Sequence, residues 1–83
     1  MEYQLRIKPS AKKELNKLPQ KDYYRALAAL SVIAGNPFAG KKLTGKRSGQ
    51  WSMRFWPYRI IYSINKKELL ILVIAIGHRQ GIY

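Results

Sequence analysis

The sequence predicts an α+β fold, with a helix hairpin packed on a small, mostly antiparallel four-stranded sheet in the order βααβββ. Three observations carry this. Residues 2–8 alternate polar and apolar, residues 11–34 place apolar side chains at helical spacing, and residues 51–76 read as three consecutive strands. A chain of 83 residues must pool its apolar side chains in one core, so residues 1–83 are read as a single domain. A hydrophobic fraction of 47% supplies enough apolar surface for that domain to fold.

In the first strand Tyr3, Leu5 and Ile7 point one way and Glu2, Gln4, Arg6 and Lys8 the other, the pattern of a half-buried strand. Pro9 stops it. Ser10 is expected to accept hydrogen bonds from the free amides of a short helix over 11–18, with Leu15 and Leu18 inward. Pro19 ends that helix and opens a second over 20–34, whose Tyr23, Leu27, Leu30 and Ala34 recur at spacings of four, three and four. Gly35, Asn36 and Pro37 terminate it, with the glycine expected in the left-handed conformation that closes helices.

Residues 38–50 hold Gly40, Gly45 and Gly49 together with Lys41, Lys42, Lys46 and Arg47, and read as a basic, flexible loop. Such a loop is either a solvated connector or a surface that tracks phosphates. Beyond it, Trp51, Met53 and Phe55 alternate with Ser52 and Arg54, and Tyr58, Ile60, Tyr62 and Ile64 alternate with Arg59, Ile61 and Ser63. The Trp56-Pro57 step bends the chain between these strands, and Asn65, Lys66 and Lys67 supply the next turn. Residues 69–76 are apolar at every position, so this last strand is expected in the middle of the sheet and covered on both faces.

Sixteen Lys and Arg against four Asp and Glu give a formal charge of +12, which a small chain must display on its surface. Such a field attracts polyanions, of which nucleic acid is the usual one, with an acidic protein or an anionic membrane as competitors. The absence of cysteine excludes disulfides and thiolate metal sites, and one histidine cannot build a zinc site without several carboxylates. No metal or other cofactor is therefore expected. The apolar run over 69–76 falls well short of the roughly 20 residues of a spanning helix, and the N-terminus MEYQLRIK has no apolar signal core. A cytoplasmic protein without a membrane partner is expected.

Carboxylate chemistry is poorly supported, since Glu2, Glu14, Asp22 and Glu68 are scattered along the chain. The serines have one candidate base, His78, and no acidic residue near it in sequence to orient it. What is left is Arg, Lys, Tyr and His. That set suits RNA cleavage, where the substrate's own 2′-hydroxyl attacks the adjacent phosphorus and the enzyme need only position, neutralise and move protons. Arginine suits the neutralising role because its planar guanidinium stays charged and grips two phosphate oxygens at once.

The segments Leu15-Asn16-Lys17-Leu18-Pro19, Asn36-Pro37, Lys42-Leu43-Thr44-Gly45, Trp51-Ser52-Met53-Arg54, Pro57-Tyr58-Arg59-Ile60-Ile61-Tyr62 and Gly77-His78-Arg79, followed by Tyr83, stand in the order seen in RelE-like toxins. The chain thus resembles, over nearly its whole length, the RelE branch of the RelE/ParE toxin superfamily. The resemblance implies a metal-independent, ribosome-dependent messenger-RNA endonuclease that inhibits translation, the toxin half of a type II toxin–antitoxin pair. It implies a catalytic surface of Arg54, Arg59, Arg79 and Tyr83. Arg59 would neutralise the scissile phosphate, Arg54 would add positive charge, and Arg79 would stabilise the leaving oxygen or assist its protonation. Tyr83 would take the 2′-hydroxyl proton, which requires nearby cations to lower a phenol pKa from its usual value of about 10.

His78 is the alternative proton carrier, although alternation puts it and Arg79 on opposite strand faces. Lys41, Lys42, Lys46, Arg47 and Trp56 would contact RNA and the ribosome. Ser52 departs from the pattern, standing where several RelE-like nucleases carry a basic residue. The partners implied are a cognate antitoxin in a hetero-oligomer, the ribosome and messenger RNA.

Plainer readings exist for the same residues. Arg54 and Arg59 also fit outward strand positions above an apolar inner face, Trp51, Phe55, Tyr58 and Tyr62 fit core positions, and His78 fits a hydrogen-bonded strand end. The competing functions are a ParE-like inhibitor of DNA gyrase, which shares the fold without the catalytic set, and a basic RNA- or ribosome-binding module without activity.

Overall fold

A computed structural model describes residues 3–78. The chain runs through β1 (Gln4–Ile7), α1 (Pro9–Lys17), α2 (Gln20–Gly35), a 3-10 turn (Pro37–Ala39), β2 (Lys41–Lys42), a second 3-10 turn (Gly45–Arg47), β3 (Gln50–Phe55), β4 (Tyr58–Asn65) and β5 (Leu70–His78). The sheet order is β1-β5-β4-β3-β2, with β1 parallel to β5 and the other neighbours antiparallel. The α+β class and the mostly antiparallel sheet are as expected, but the sheet has five strands. The extra strand is Lys41–Lys42, taken from the sequence as loop, which pairs with Trp51 and Ser52 on the edge of the sheet. Two lysines offer no apolar alternation to read, and charged residues on a short edge strand also deter pairing with other chains.

Register assigns the two faces of the sheet, because residues directly opposite one another share a face. On one face Phe55, Ile60, Tyr62, Ile71, Val73 and Ile76 meet Ala11 and Leu15 of α1 and Ala26, Leu30 and Ile33 of α2, forming the core. The other face carries Arg6, Leu72, Ser63, Ile61, Ala75, Ser52, Arg54, Arg59 and Gly77. Among the described residues no helix covers it. The expectation that the last strand is buried on both faces is therefore corrected: β5 does lie inside the sheet, between β1 and β4, but alternate residues such as Leu72 and Ile74 stay half-buried.

The helices differ from expectation in three details. Lys8, not Ser10, occupies the N-cap of α1, and no side chain caps it. Pro9 takes the first turn, where its missing N–H would have had no helical partner in any case. The buried stripe of α2 is Ala26, Leu30 and Ile33 with Tyr23 beside it, while Leu27 is exposed. Both stripes satisfy helical periodicity and share Tyr23 and Leu30, so spacing alone does not choose between them. The small Ala26, fully buried, lets the helix approach the sheet closely. Gly35 belongs to the last turn of α2 instead of adopting a positive φ, and the cap is an extended Asn36 whose N–H donates to the Val32 carbonyl. The Asn36 side chain then accepts from the Phe38 N–H at 3.2 Å and opens the first 3-10 turn.

Candidate functional site

The sheet face away from the helices gathers cations at the β2 edge. Arg54 of β3 lies directly opposite Arg59 of β4, and Arg59 lies opposite Gly77 of β5. Ser52, two residues before Arg54 and hence on the same face, pairs with Ile61 on one side and with Lys41 on the other. Lys41, Ser52, Arg54 and Arg59 line one cleft of about 290 Å³ together with Gly40 and Leu43. Arg54 and Lys41 are exposed, Arg59 is half-buried, and Ser52 and Ile61 are buried in the row beside them. Two arginines facing each other across strands work against pairing by about 0.2–1 kcal/mol, so the arrangement favours an anion set between them.

A buried hydrogen bond fixes the edge of this cleft. The Tyr62 hydroxyl donates to the Pro37 carbonyl at 2.7 Å, and Gly40 makes a backbone hydrogen bond to the same phenol. Burial raises the Tyr62 pKa above its ordinary 10.0, outweighing the opposite effect of the Gly40 bond, so the phenol stays a neutral donor. Gly40 has no room for a side chain, since a Cβ there would collide with the Tyr62 hydroxyl and come within 2.7 Å of the Ser52 carbonyl oxygen. The backbone entering β2 is thus pressed onto β3 and β4, which sets Lys41 over the cleft.

A second network holds the turn between β3 and β4. Arg25 of α2 donates from Nη1 to Asp22 Oδ1 at 3.1 Å and from Nη2 to the Trp56 carbonyl at 2.7 Å, with its guanidinium carbon 5.9 Å from the centre of the Phe55 ring. The Tyr58 hydroxyl donates to Asp22 Oδ2 at 3.0 Å. That hydrogen bond is the largest cause of a raised Tyr58 pKa, aided by burial and the Asp22 charge and opposed by Arg25. The turn joining Arg54 to Arg59 is therefore tied to the first turns of α2. Nothing in the linear sequence links Asp22 to position 58, 36 residues away.

The residues expected from the sequence are not all brought together. Arg54, Arg59 and Lys41 converge. Lys42, Lys46 and Arg47 line a neighbouring cleft with Gln50, which Lys41 also borders and where Arg47 Nη1 donates to Gln50 Oε1 at 3.0 Å. Trp56 is exposed in the β3–β4 turn, as a stacking residue requires. His78 pairs with Tyr58 and meets its ring edge-on at 6.1 Å, so register places it on the helix side, across the sheet from Arg59. That position does not suit it as a proton carrier for the arginine cleft. Arg79 and Tyr83 lie outside the described residues. Phe55 and Tyr62 are core residues, with Trp51 and Tyr58 packed against them. Among the described residues no group of three or more His, Cys, Asp or Glu could hold a metal ion, and no helix is long and apolar enough to cross a membrane.

The family model for the ParE toxin of type II toxin–antitoxin systems, parDE, matches residues 5–83. The chain belongs to the RelE/ParE family of toxins. Toxin RelG of Mycobacterium tuberculosis is 30% identical over 89 aligned residues, an alignment covering 100% of this chain and 98% of RelG. Among solved structures, the toxin–antitoxin complex RelBE2 from Mycobacterium tuberculosis contains a chain that superposes with a TM-score of 0.85 at 26% identity, covering 95% of this chain and 100% of that one. The archaeal RelE–RelB complex from Pyrococcus horikoshii gives a TM-score of 0.81 at 28% identity, with 100% of both chains covered. In this RelE/ParE toxin the paired arginines therefore sit on a fold shared with RelE proteins that have been solved together with antitoxins.

Proposed function

We propose that this toxin is a ribosome-dependent endonuclease that cuts messenger RNA in the A site and so stops translation. The observation that carries the reading is the pair Arg54 and Arg59, opposite one another on the sheet face away from α1 and α2 and bordering a cleft shared with Lys41. The substrate's 2′-hydroxyl attacks the adjacent phosphorus, the bond from phosphorus to the 5′-oxygen breaks, and the products are a 2′,3′-cyclic phosphate and a 5′-hydroxyl. Arg59 neutralises the phosphate undergoing attack, and Arg54 adds positive charge beside it. Arg79 stabilises or helps protonate the leaving 5′-oxygen, and Tyr83, in preference to His78, takes the 2′-hydroxyl proton. The reaction needs no metal, because arginines supply the charge that a metal ion would otherwise bring.

The toxin is cytoplasmic, docks on ribosomal RNA through Lys42, Lys46, Arg47 and Trp56, and is neutralised by a cognate antitoxin in a hetero-oligomer. Support for that partnership comes from the RelBE2 and archaeal RelE–RelB relatives, which are complexes with antitoxins. The test is cleavage of messenger RNA on programmed ribosomes by the purified protein, mapping each cut and its end chemistry, with Arg59→Ala alongside. Cuts in the A-site codon ending in a cyclic phosphate and lost in Arg59→Ala are expected. Inhibition of gyrase supercoiling, with messenger RNA left intact, would replace this reading with the one suggested by the ParE name of the matching family model.

A further inference from the structure

The cleft between β2 and β3 holds a third cation that the paired arginines do not account for. Lys41 is the register partner of Ser52, it shares the face that carries Arg54 and Arg59, and it lines the same cleft. The position beside it on β3 is a serine, whose short, buried side chain lines the same cleft. A four-carbon stem from the neighbouring strand can reach along that cleft with its ammonium group. The other loop cations behave differently: Lys41 borders both this cleft and the neighbouring one, whereas Lys42, which pairs with Trp51 one residue out of phase, Lys46 and Arg47 line only the neighbouring one.

The backbone around Lys41 is also held. Gly40 leaves no room for a Cβ between the Tyr62 hydroxyl and the Ser52 carbonyl, and Tyr62 is bonded to Pro37 three residues earlier. A lysine that served only as a solubilising edge charge would need none of this. We propose that Lys41 is a catalytic residue of this toxin, contacting the phosphate under attack from the β2 side and adding a third positive charge to those of Arg54 and Arg59. This rests on the nuclease reading above. Its consequence is that Lys41 acts on the chemical step, whereas Lys42, Lys46 and Arg47 act on docking.

A donor aimed at developing charge contributes about 100-fold or more in a water-excluded site, but an exposed lysine is screened by solvent, so we expect a loss of about tenfold. The experiment is single-turnover cleavage on programmed ribosomes, with toxin varied to saturation, for the unaltered protein, Lys41→Gln, Lys41→Arg and Arg59→Ala. Lys13→Ala, on the exposed side of α1, controls for loss of one charge. The expected result is a rate at saturation reduced about tenfold in Lys41→Gln, kept within about threefold in Lys41→Arg, and unchanged in Lys13→Ala. A Lys41→Gln variant that needs more toxin to saturate but then cleaves at the full rate would overturn the proposal and leave Lys41 a docking residue. So would equal losses in Lys41→Gln and Lys41→Arg, which would mean that the lysine shapes β2 and not the charge of the cleft. If the unaltered protein leaves messenger RNA intact, the nuclease reading itself fails; if it cleaves, Arg59→Ala does not and Lys41→Gln does at full rate, only the role of Lys41 fails.

Discussion

Arg54 and Arg59 are a poor choice for holding β3 to β4. Directly opposed like charges destabilise a strand pair, and a β-branched neutral residue at either position would suit the ladder better. Stability is thus set against the charge that an anionic substrate requires, as is common where binding sites retain groups that folding alone would not favour. Arg54→Thr should raise the urea midpoint by the equivalent of about 0.5 kcal/mol, with the slope of the transition unchanged, because repulsion falls and strand propensity rises. The same variant should cleave more slowly on programmed ribosomes. A lower urea midpoint in Arg54→Thr would show that the pair is held by favourable contacts in the folded protein, and the argument from repulsion would be lost.

The ends of the elements separate what could be read from the sequence from what could not. Alternation in β3 and β4 put Arg54 and Arg59 on the face opposite Ile60 and Tyr62, as the register confirms, since period-two patterning leaves one choice once a face is apolar. Strand β2 escaped because an edge pair of two residues is held by backbone hydrogen bonds that no side-chain pattern reports, and with it went the placement of Lys41 beside Ser52. The bond from Tyr58 to Asp22 spans 36 residues and was equally hidden. Gly35 departs from its sequence pattern for a different reason. A glycine before Asn-Pro fits a left-handed cap, yet here an extended Asn36 ends the helix and Gly35 keeps helical backbone. An added Cβ at Gly35 meets nothing within 4 Å, so Gly35→Ala should stabilise the protein by about 0.5–1 kcal/mol through the lower entropy of the unfolded chain. A drop in thermal midpoint for Gly35→Ala would instead support the left-handed cap.

Over the whole molecule, the charge that suits a polyanion partner works against the isolated fold. Sixteen basic side chains share four acidic ones, within a body of 35 × 28 × 21 Å. The ion pairs among the described residues, Lys17 with Glu14 at 3.6 Å and Arg25 with Asp22 at 3.1 Å, lie at the surface. Pairs of that kind contribute about 0–1 kcal/mol each, too little to balance repulsion summed over a net charge of +12. The Debye length is about 30 Å at 0.01 M salt and about 8 Å at 0.15 M, so at low salt cations on opposite sides of the protein still repel, and at physiological salt they do not. Raising sodium chloride between those limits should therefore increase the urea midpoint, the opposite of what a fold held by ion pairs would do. Chloride is the right anion for this measurement, because sulfate and phosphate also strengthen apolar burial and would raise the midpoint for an unrelated reason. A midpoint that fell with added chloride would mean that attraction between unlike charges outweighs the repulsion, and the basic surface would then carry no folding cost for a polyanion partner to relieve.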